Sequence, residues 1–334
     1  MTRLDLAFVR AQFPAFAEPS LAGYAHFENA GGSFASRHTI EALEGFYRRT
    51  KVQPYYAFEP SATAGAQMDR AKSRLAAWLN VETDELYLGP STSQNTYVLA
   101  QAFRKHLKPG DEVIVTQQDH EANIGAWARL QDEGMVVRTW QVDANGALHV
   151  RDLEALLGPR TRVVAFTQCS NVVASIHPVR EIVDRIHRAG AVAVVDGVSF
   201  TPHGLPDVQA LGADVYLFSL YKVYGPHLGA MVVRRELATR LPSQAHFFKG
   251  DELPGRFTPA MEHAFQTHAK GAMDLLKQEA EESSPSYFNA CDALVYDEFV
   301  LLLERAYLAP RRHVPDSQLS DFMPVIKKIS NVRS

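Results

Sequence analysis

The stretch Ala191-Val192-Ala193-Val194-Val195-Asp196-Gly197 decides the fold class of this 334-residue chain. Its five leading apolar residues indicate a β-strand that is covered on both faces, as the strands of parallel sheets are. Asp196 follows this strand directly, at the edge where open α/β sheets bind their ligands. A carboxylate is costly to bury there unless a cation pairs with it. The alternatives are a buried Asp–Arg bridge and an aspartate that only looks buried.

Similar strand-like runs recur along the chain. These short β-branched runs alternate with longer helical patterns, as in βαβ units. The predicted strands are Leu86–Leu88, Glu112–Thr116, Val136–Gln141, Arg162–Thr167, Ala191–Val195, Val215–Phe218 and Gly229–Val233. The predicted helices are Thr39–Arg49, Gln67–Leu79, Ser93–Lys105, Asn123–Asp132 and Val179–Arg188. We therefore predict an α/β fold in which helices sandwich a mostly parallel sheet.

The pattern changes near residue 276, where a polar segment begins and the alternation of strands and helices ends. The chain is also longer than one hydrophobic core usually supports. We predict a large ligand-binding domain with an amino-terminal segment over residues 1–276. The remaining residues, 277–334, are predicted to form an atypical or truncated carboxy-terminal segment.

The composition argues against several classes of protein. A net charge of −4 and a pI of about 6.4 disfavour a general nucleic-acid or membrane-surface role. No apolar run approaches the roughly 20 residues of a membrane helix, and the amino terminus lacks the pattern of a secretory signal. The two cysteines, Cys169 and Cys291, fit a reducing compartment, so we expect a cytoplasmic protein. Thirteen histidines occur without HExxH or CxxC pairing, and we expect no metal site.

Lys222 follows another predicted strand, in the run Phe218-Ser219-Leu220-Tyr221-Lys222-Val223-Tyr224-Gly225-Pro226. Its aromatic neighbours indicate a desolvated amine with a lowered pKa, and the alternative is a solvated loop lysine. Lys222 and Asp196, at two strand ends, can grip opposite sides of one ring. Pyridoxal phosphate needs such a pair, because its aldehyde condenses with a lysine amine and its ring nitrogen stays protonated beside a carboxylate.

A phosphate site is predicted in the run Gly89-Pro90-Ser91-Thr92-Ser93-Gln94-Asn95, which follows the first strand and opens a helix. The free N–H groups and the dipole of a helix amino terminus favour an anion. The hydroxyls of Ser91, Thr92 and Ser93 can add hydrogen bonds to it. The alternative is that Ser91 or Thr92 only caps the helix.

Two further strand ends carry polar side chains that can reach the same edge. His120 follows the second predicted strand, and its imidazole could lie on an aromatic cofactor face. Asn171 follows the fourth and offers a neutral donor for a carboxylate or a phenolic oxygen. Taken alone, His120 also fits a surface or capping residue, and Asn171 also fits a turn residue.

Six segments carry a family resemblance in the same order along the chain. They are Phe27–Gly32, Pro90–Ser93, Asp119–Ile124, Ser170–Val172, Asp196–Ser199 with Pro202-His203, and Phe218–Pro226. Together they resemble the class V aminotransferase family of pyridoxal phosphate enzymes, especially its cysteine-desulfurase-like branch. Six collinear motifs are far more specific than any one of them. The resemblance implies the fold-type-I pyridoxal phosphate transferase architecture, with a site at a homodimer interface.

The resemblance also implies a role for each matching residue. Lys222 would form the internal aldimine and move the proton, Asp196 would pair with the pyridine nitrogen, and His120 would stack on the ring and complete the catalytic set. The implied cofactor-binding residues are Ser91, Thr92, Ser93, His120, Asn171, Asp196, Ser199, Ser219, Tyr221 and Lys222. The segment 247–259 would reach toward the partner's cofactor, and Arg37 and Arg256 are candidates for binding a substrate carboxylate.

The chain departs from the family pattern at three places. Ser199 stands where desulfurases commonly carry glutamine, and Tyr221 stands where they carry histidine. The resemblance also fades after about Asp274, before the small domain that supplies a carboxylate-binding arginine and a nucleophilic cysteine. Cys169 does not stand where the family has that cysteine, and a packed small residue is its expected role.

These observations predict a pyridoxal-phosphate-dependent enzyme that acts on an amino acid through a Lys222 aldimine. Its chemistry would be desulfurase-like, or that of a related lyase or aminotransferase, and its partners would be an amino acid and a second copy of the chain. One alternative is a cofactor-binding protein with little turnover, because the small domain is incomplete. Another is a nucleotide-binding protein that uses residues 89–95, although neither GxGxxG nor GK[ST] follows any predicted strand.

Overall fold

The computed structural model describes residues 5–247, 252–253 and 255–258. Within these residues seven strands form one sheet in the order β1-β7-β6-β5-β4-β2-β3. The strands are β1 (Leu86–Gly89), β2 (Glu112–Thr116), β3 (Val136–Trp140), β4 (Thr161–Thr167), β5 (Val192–Asp196), β6 (Val215–Ser219) and β7 (Gly229–Val233). Strand β7 runs antiparallel to both of its neighbours, and every other pairing is parallel. The predicted fold class is therefore confirmed.

Helices cover both faces of the sheet. They are α1 (Leu6–Ala11), α2 (Arg37–Gly45), α3 (Glu59–Trp78), α4 (Thr92–Arg104), α5 (Glu121–Ala128), α6 (Val150–Leu156), α7 (Val179–Arg188), α8 (Val208–Leu211) and α9 (Arg235–Arg240). Apolar side chains of α3, α6, α7 and α8 pack on one face, and those of α4, α5 and α9 pack on the other. Neighbouring residues of a strand, such as Leu217 and Phe218, enter opposite clusters, as the two-residue period of a strand requires.

The predicted helices exist, but several begin or end elsewhere. Helix α3 begins at Glu59, eight residues before the predicted start. Its first turns consist mostly of small residues, which lack the apolar periodicity on which the prediction depends. Helix α5 begins at Glu121 because His120 caps it, and the following 3₁₀ turn ends at Gly134, whose φ of +86° favours glycine.

The parallel strands bring their carboxyl ends to one edge of the sheet. Strand β7 runs the other way, so that its first residue, Gly229, lies opposite Gly89 of β1 and Ser219 of β6. Polar residues that follow β1, β2, β4, β5 and β6 therefore share this edge.

Several predictions concern residues that the structure does not describe. The predicted domain boundary at 276/277, the segment 277–334 and Cys291 all lie outside the described residues. Among the residues that are described, no helix combines the length and the apolarity that a membrane span needs.

Candidate active site

A pair of buried hydroxyls lies where β6 ends and α4 begins. Thr92 Oγ1 and Ser219 Oγ are 2.7 Å apart, and both residues are buried. Ser91 caps α4, because its Oγ accepts the N–H of Gln94 at 3.1 Å, whereas Ser93 is exposed on the first turn. The structure therefore gives the Ser91 hydroxyl the capping role, and it leaves Thr92 and Ser219 as the hydroxyl pair at the sheet edge.

Two glycines let the backbone approach this pair closely. A Cβ on Gly229 would lie 2.3 Å from the Ser91 carbonyl carbon and 2.4 Å from the Thr92 nitrogen, distances that real Cβ atoms do not show. Asn95 donates from Nδ2 to the Gly229 carbonyl at 3.1 Å, and a Cβ on Gly89 would lie 2.0 Å from its Oδ1. The amino terminus of α4 is thus pressed against the start of β7, an arrangement that the sequence analysis did not predict.

Asp196 ends β5 and is only 4% exposed, which confirms the predicted burial. Its Oδ1 accepts the N–H of Val198 at 2.8 Å. Burial raises the pKa of Asp196 to about 6, while the Val198 N–H and the nearby charges of His120 and Lys222 hold it down. The carboxylate is therefore a poorly solvated anion that favours a cation beside it.

A buried tyrosine, Tyr216, packs against Gly197, the residue that follows Asp196. Tyr216 donates its hydroxyl to Gln168 Oε1 at 2.6 Å, and a Cβ on Gly197 would lie 2.0 Å from the Tyr216 oxygen. Burial, more than the neighbouring charge of Asp196, raises the pKa of Tyr216, so that it stays a neutral donor. This close approach requires glycine at position 197. No local sequence pattern predicts the contact, because β6 and the residue after β5 form it together.

Lys222 is half-buried in the turn that follows β6, as the sequence predicts. Its Nζ donates a hydrogen bond to the carbonyl of Ala30. Burial lowers the pKa of Lys222, and the charges of Asp196 and Glu28 oppose that change. The amine and the carboxylate of Asp196 thus come from neighbouring strands and influence each other's protonation.

The segment 30–39 makes hydrogen bonds to the turn that carries Lys222, residues 221–224. The sequence did not predict this role. Ser33 contacts both Tyr221 and Tyr224 through its hydroxyl. The carbonyl of Tyr224 also accepts hydrogen bonds from the Ser36 N–H at 3.2 Å and from Thr39 Oγ1 at 3.0 Å. In the sequence, the Gly31-Gly32 pair was the available signal for this contact. A Cβ on Gly32 would lie 3.3 Å from the Tyr221 ring, so the backbone approaches the ring closely there.

His120 caps α5 at this edge of the sheet. Its Nδ1 accepts the N–H of Ala122 at 3.0 Å, which places the proton of a neutral ring on Nε2. Asp119 accepts the His120 N–H at 2.7 Å and the Asn123 Nδ2 at 2.7 Å. Burial, and then the charge of Asp196, raises the pKa of Asp119. Asp119 is thus a second acid near Asp196, which the sequence analysis missed.

The other predicted cofactor-binding residues have different surroundings. Asn171 lies half-buried in the turn after β4, and Ser199 lies half-buried in the turn after β5. Tyr221 stacks on His227, with ring centroids 4.6 Å apart and an interplanar angle of 8°. The turn after β4 and the turn after β5 reach the sheet edge of Asp196, and the Tyr221 ring lies beside Lys222, whose Nζ is 6.0 Å from its centroid.

Cys169 and two arginines can be placed as well. Cys169 is buried, and burial raises the pKa of its thiol, in agreement with the predicted packing role. Arg256 is buried and donates from Nε and Nη2 to the Leu241 carbonyl at 3.1 and 3.0 Å, so its guanidinium bonds within its own chain. Arg37 donates to Gln12 Oε1 at 3.0 Å. Of the segment 247–259, the residues 248–251, 254 and 259 lie outside the described residues.

The donor set fits a phosphorylated pyridine aldehyde. A buried acid of raised pKa suits a protonated ring nitrogen, and a half-buried amine of lowered pKa suits condensation with an aldehyde. Two buried hydroxyls at a helix amino terminus suit a phosphate. No group of three or more potential metal-ligating side chains is found in the described part of the chain.

Comparison with solved structures supports the fold assignment. The cysteine desulfurase CsdA from Escherichia coli superposes with a TM-score of 0.74 at 26% sequence identity, covering 91% of this chain and 77% of that one. An apo cysteine desulfurase from Thermococcus onnurineus NA1 also gives a TM-score of 0.74, at 21% identity, over 83% of this chain and 72% of that one.

Sequence relatives and a family model point the same way. An aminotransferase-like protein, FGM3, from Gibberella zeae is 36% identical over 251 residues, which are 73% of this chain and 61% of the relative. A cysteine desulfurase from an Enterobacter species is 34% identical over 240 residues, 70% of this chain and 59% of the relative. The chain thus spans about three fifths of the length of these two relatives. The family described as aminotransferase class-V matches residues 25–249. The chain therefore belongs to the class-V aminotransferase family, whose members depend on pyridoxal phosphate.

Proposed function

We propose that this chain binds pyridoxal phosphate through Lys222 and acts on an amino acid, with desulfurase-like or related lyase or aminotransferase chemistry. The observation that carries the proposal is the relation between Lys222 and Asp196. Their side chains extend from neighbouring strand ends, and each charge shifts the pKa of the other. An amine and an acid so arranged match the two ends of the cofactor's ring.

Each part of the cofactor has a group to hold it. Thr92 and Ser219, with the amides that open α4, would bind the phosphate. Asp196 would face the ring nitrogen, and His120 would lie on the ring face. Bound in this way, the cofactor supplies an electron sink for negative charge that develops at the substrate's α-carbon. The other residues that we propose to contact the cofactor are Ser91, Ser93, Asn171, Ser199 and Tyr221.

Lys222 has the properties of a residue that moves a proton. Burial lowers the pKa of its amine, so a larger fraction is neutral near pH 7 than for an exposed lysine. The Ala30 carbonyl accepts a hydrogen bond from Nζ and fixes its direction. The amine can therefore accept a proton at Nζ from a substrate carbon and return it.

Cysteine is the proposed substrate, because several relatives carry the name cysteine desulfurase. Cys169 does not suit the sulfur-accepting role, since it is buried and burial raises the pKa of its thiol. If the reaction is desulfuration, the sulfur acceptor is another thiol, either in the chain or added with the substrate.

The visible spectrum of the purified protein tests the proposal. We expect an absorption band of the lysine-bound cofactor that borohydride bleaches, and peptide mapping should then place the label on Lys222. Lys222→Ala should lose the band. Amino acids are then added one at a time with an excess of a dithiol reductant, and sulfide, pyruvate and keto acids are assayed. Cysteine should give sulfide, because the dithiol reduces the persulfide formed on the acceptor thiol and is itself oxidised to a disulfide. A label on any other lysine would contradict the assignment.

A second candidate function is cofactor binding with little turnover. It is favoured by the family match, which ends at residue 249 and so leaves the predicted carboxy-terminal segment, residues 277–334, unmatched. This alternative predicts the same band and the same label on Lys222, but no product from any amino acid. The product assays therefore separate the two candidates.

We further propose that the chain forms a homodimer and acts in the cytoplasm. Both proposals rest on the family resemblance and on the sequence. Light scattering with size-exclusion chromatography tests the first, since a particle of twice the chain mass is expected.

A further inference from the structure

We propose that Ser33 is a positioning residue for Lys222, because its hydroxyl closes the turn that carries the lysine. The inference deepens the proposed function, since it rests on Lys222 being the cofactor-binding amine. Ser33 lies in the amino-terminal segment, 188 residues before the first residue of that turn.

The Ser33 hydroxyl bonds both ends of the turn at once. It donates to the carbonyl of Tyr221 at 2.9 Å and accepts the N–H of Tyr224 at 3.1 Å. These two groups are the first carbonyl and the fourth N–H of the turn 221–224, which a β-turn often joins directly. Here the serine oxygen lies between them, and the Ser33 N–H adds a bond to the Tyr221 carbonyl at 3.2 Å.

The turn needs an external hold because one of its residues has an unfavourable backbone conformation. Tyr224 has a φ of +65°, in the left-handed region that favours glycine. Such a conformation persists only where the surrounding structure imposes it. The Ser33 oxygen meets the N–H of this residue, and the Ser36 N–H and Thr39 hydroxyl meet its carbonyl.

The conformation of the turn sets how deeply the Lys222 amine is buried and which charged groups lie near it. Within the described residues, the charged and titratable groups around the amine are Asp196 from β5, Glu28 from the amino-terminal segment and Tyr221 from the turn itself. Burial is the largest influence on the Lys222 pKa. Loosening the turn would admit water to the amine, and its pKa would rise toward the ordinary value of an exposed lysine.

The pH dependence of Lys222 labelling tests the inference without cofactor. The cofactor-free protein is treated with an amine-reactive reagent over a range of pH, and the modified fraction of Lys222 is measured by mass spectrometry. Ser33→Ala removes both bonds of the hydroxyl, and Ser33→Thr retains the hydroxyl. Ser36→Ala is the matched control, because its hydroxyl caps α2 and contacts the Thr39 hydroxyl at 3.2 Å but makes no direct hydrogen bond to the turn.

We expect Ser33→Ala to move the labelling profile to higher pH, and Ser33→Thr and Ser36→Ala to match the original chain. On adding cofactor, Ser33→Ala should also form the visible band about tenfold more slowly. An unchanged Ser33→Ala profile, or an equal shift in Ser36→Ala, would overturn the inference. If Ser33→Ala does not fold, Ser33→Cys keeps the volume with a weaker hydrogen-bonding group and gives the same comparison.

The proposed function and the role of Ser33 can be tested separately, because different results contradict each of them. If the original chain attaches no cofactor at Lys222, the proposed function is wrong, yet the labelling profiles still decide whether Ser33 positions the amine. If the cofactor attaches but the profiles of the two alanine variants agree, only the role of Ser33 is wrong.

Discussion

The hydroxyls of Thr92 and Ser219 lie 2.7 Å apart, although 127 residues separate them in the chain. Thr92 opens α4 and Ser219 ends β6, where Ser219 pairs with Gly229, the first residue of β7. Two buried hydroxyls beside the free N–H groups of a helix form a compact set of donors for an anion. The contact is therefore the structural basis of the proposed phosphate site.

Removing either hydroxyl should weaken cofactor binding. We predict that Thr92→Val and Ser219→Ala each raise the Kd for pyridoxal phosphate about tenfold or more, since a hydrogen bond to a charged group contributes roughly 1.5–3 kcal/mol. The double variant should lose less binding free energy than the sum of the losses in the two single variants, because the two hydroxyls contact each other. Titration by fluorescence or absorbance measures the Kd.

Thr96→Val is the control for this pair. It removes another buried hydroxyl of α4, one that donates to the Thr92 carbonyl at 3.0 Å within the helix. We expect its Kd to match that of the original chain. Equal affinity in all four variants would mean that the phosphate binds elsewhere.

The close approach of β7 to α4 gives a second prediction. Gly229→Ala should lower the free energy of unfolding by about 1–3 kcal/mol, because its Cβ would meet backbone atoms of Ser91 and Thr92 that cannot move independently. It should also weaken cofactor binding, since the amides that open α4 must shift. Denaturant unfolding and cofactor titration measure the two effects.

Gly204→Ala supplies the comparison for Gly229→Ala. A Cβ at Gly204 would meet no atom within 4 Å, and its φ of 162° is extended backbone. We expect a change in stability within about 0.5 kcal/mol and an unchanged Kd. A Gly229→Ala protein as stable as Gly204→Ala would show that the approach is not close in solution.

Local patterns in the sequence were sufficient for the sheet and for the residues at its edge. The apolar run before Asp196 predicted a buried strand with an acid at its end, and the structure confirms both features. Strand periodicity and strand-end position depend on neighbouring residues, so a single sequence contains them.

The contacts that hold the site in place could not be predicted in this way, because they join residues that are distant along the chain. The Gly31-Gly32 pair before Ser33 indicates a close approach of the backbone, but it does not identify the partners of the Ser33 hydroxyl, which are Tyr221 and Tyr224. The approach of Gly229 to Ser91 likewise depends on β7 running antiparallel beside β1. Such contacts follow from the assembled sheet, and no spacing along the sequence encodes them.

The two roles of His120 can be separated by substitution. Its Nδ1 caps α5, and its ring is proposed to lie on the cofactor. His120→Asn retains a capping side chain but loses the aromatic face, whereas His120→Ala loses both. We predict that His120→Asn keeps the stability of the original chain and binds the cofactor up to about tenfold more weakly, because aromatic stacking contributes about 0.5–1.5 kcal/mol.

The alanine variant completes the test of His120. It should lose similar affinity and also lower the unfolding midpoint, because the helix cap is gone. If His120→Asn binds the cofactor as tightly as the original chain while His120→Ala is less stable, the histidine serves only as a cap.

Asp196 should make the stability of the cofactor-free protein depend on pH. Its pKa is about 6 in the folded chain and near 4 when unfolded, so the folded state binds more protons between these values. The corresponding stability is complete below about pH 4 and is lost as the pH rises through about 6. Asp119, whose pKa is also raised by burial, contributes with the same sign.

Asp196→Asn removes the part of this dependence that comes from Asp196, because the amide stays neutral at every pH. We predict that, without cofactor, the variant is more stable than the original chain at pH 7.5 by roughly 2–3 kcal/mol, and equally stable near pH 4. Turnover with an amino acid should fall by about 10²-fold or more, since the ring nitrogen loses its anionic partner. Denaturant unfolding at several pH values and steady-state kinetics measure these effects.

Asp143→Asn is the control of opposite sign. Hydrogen bonds from His149, Ala147 and Asn145 lower the pKa of Asp143, so the stability that it contributes is present at neutral pH and is lost as the pH falls. The Asn variant should therefore be less stable than the original chain at pH 7.5 and converge with it in acid. If Asp196→Asn follows that same direction, the carboxylate of Asp196 is stabilised by partners within the chain, and its site has no need of a cationic ring nitrogen.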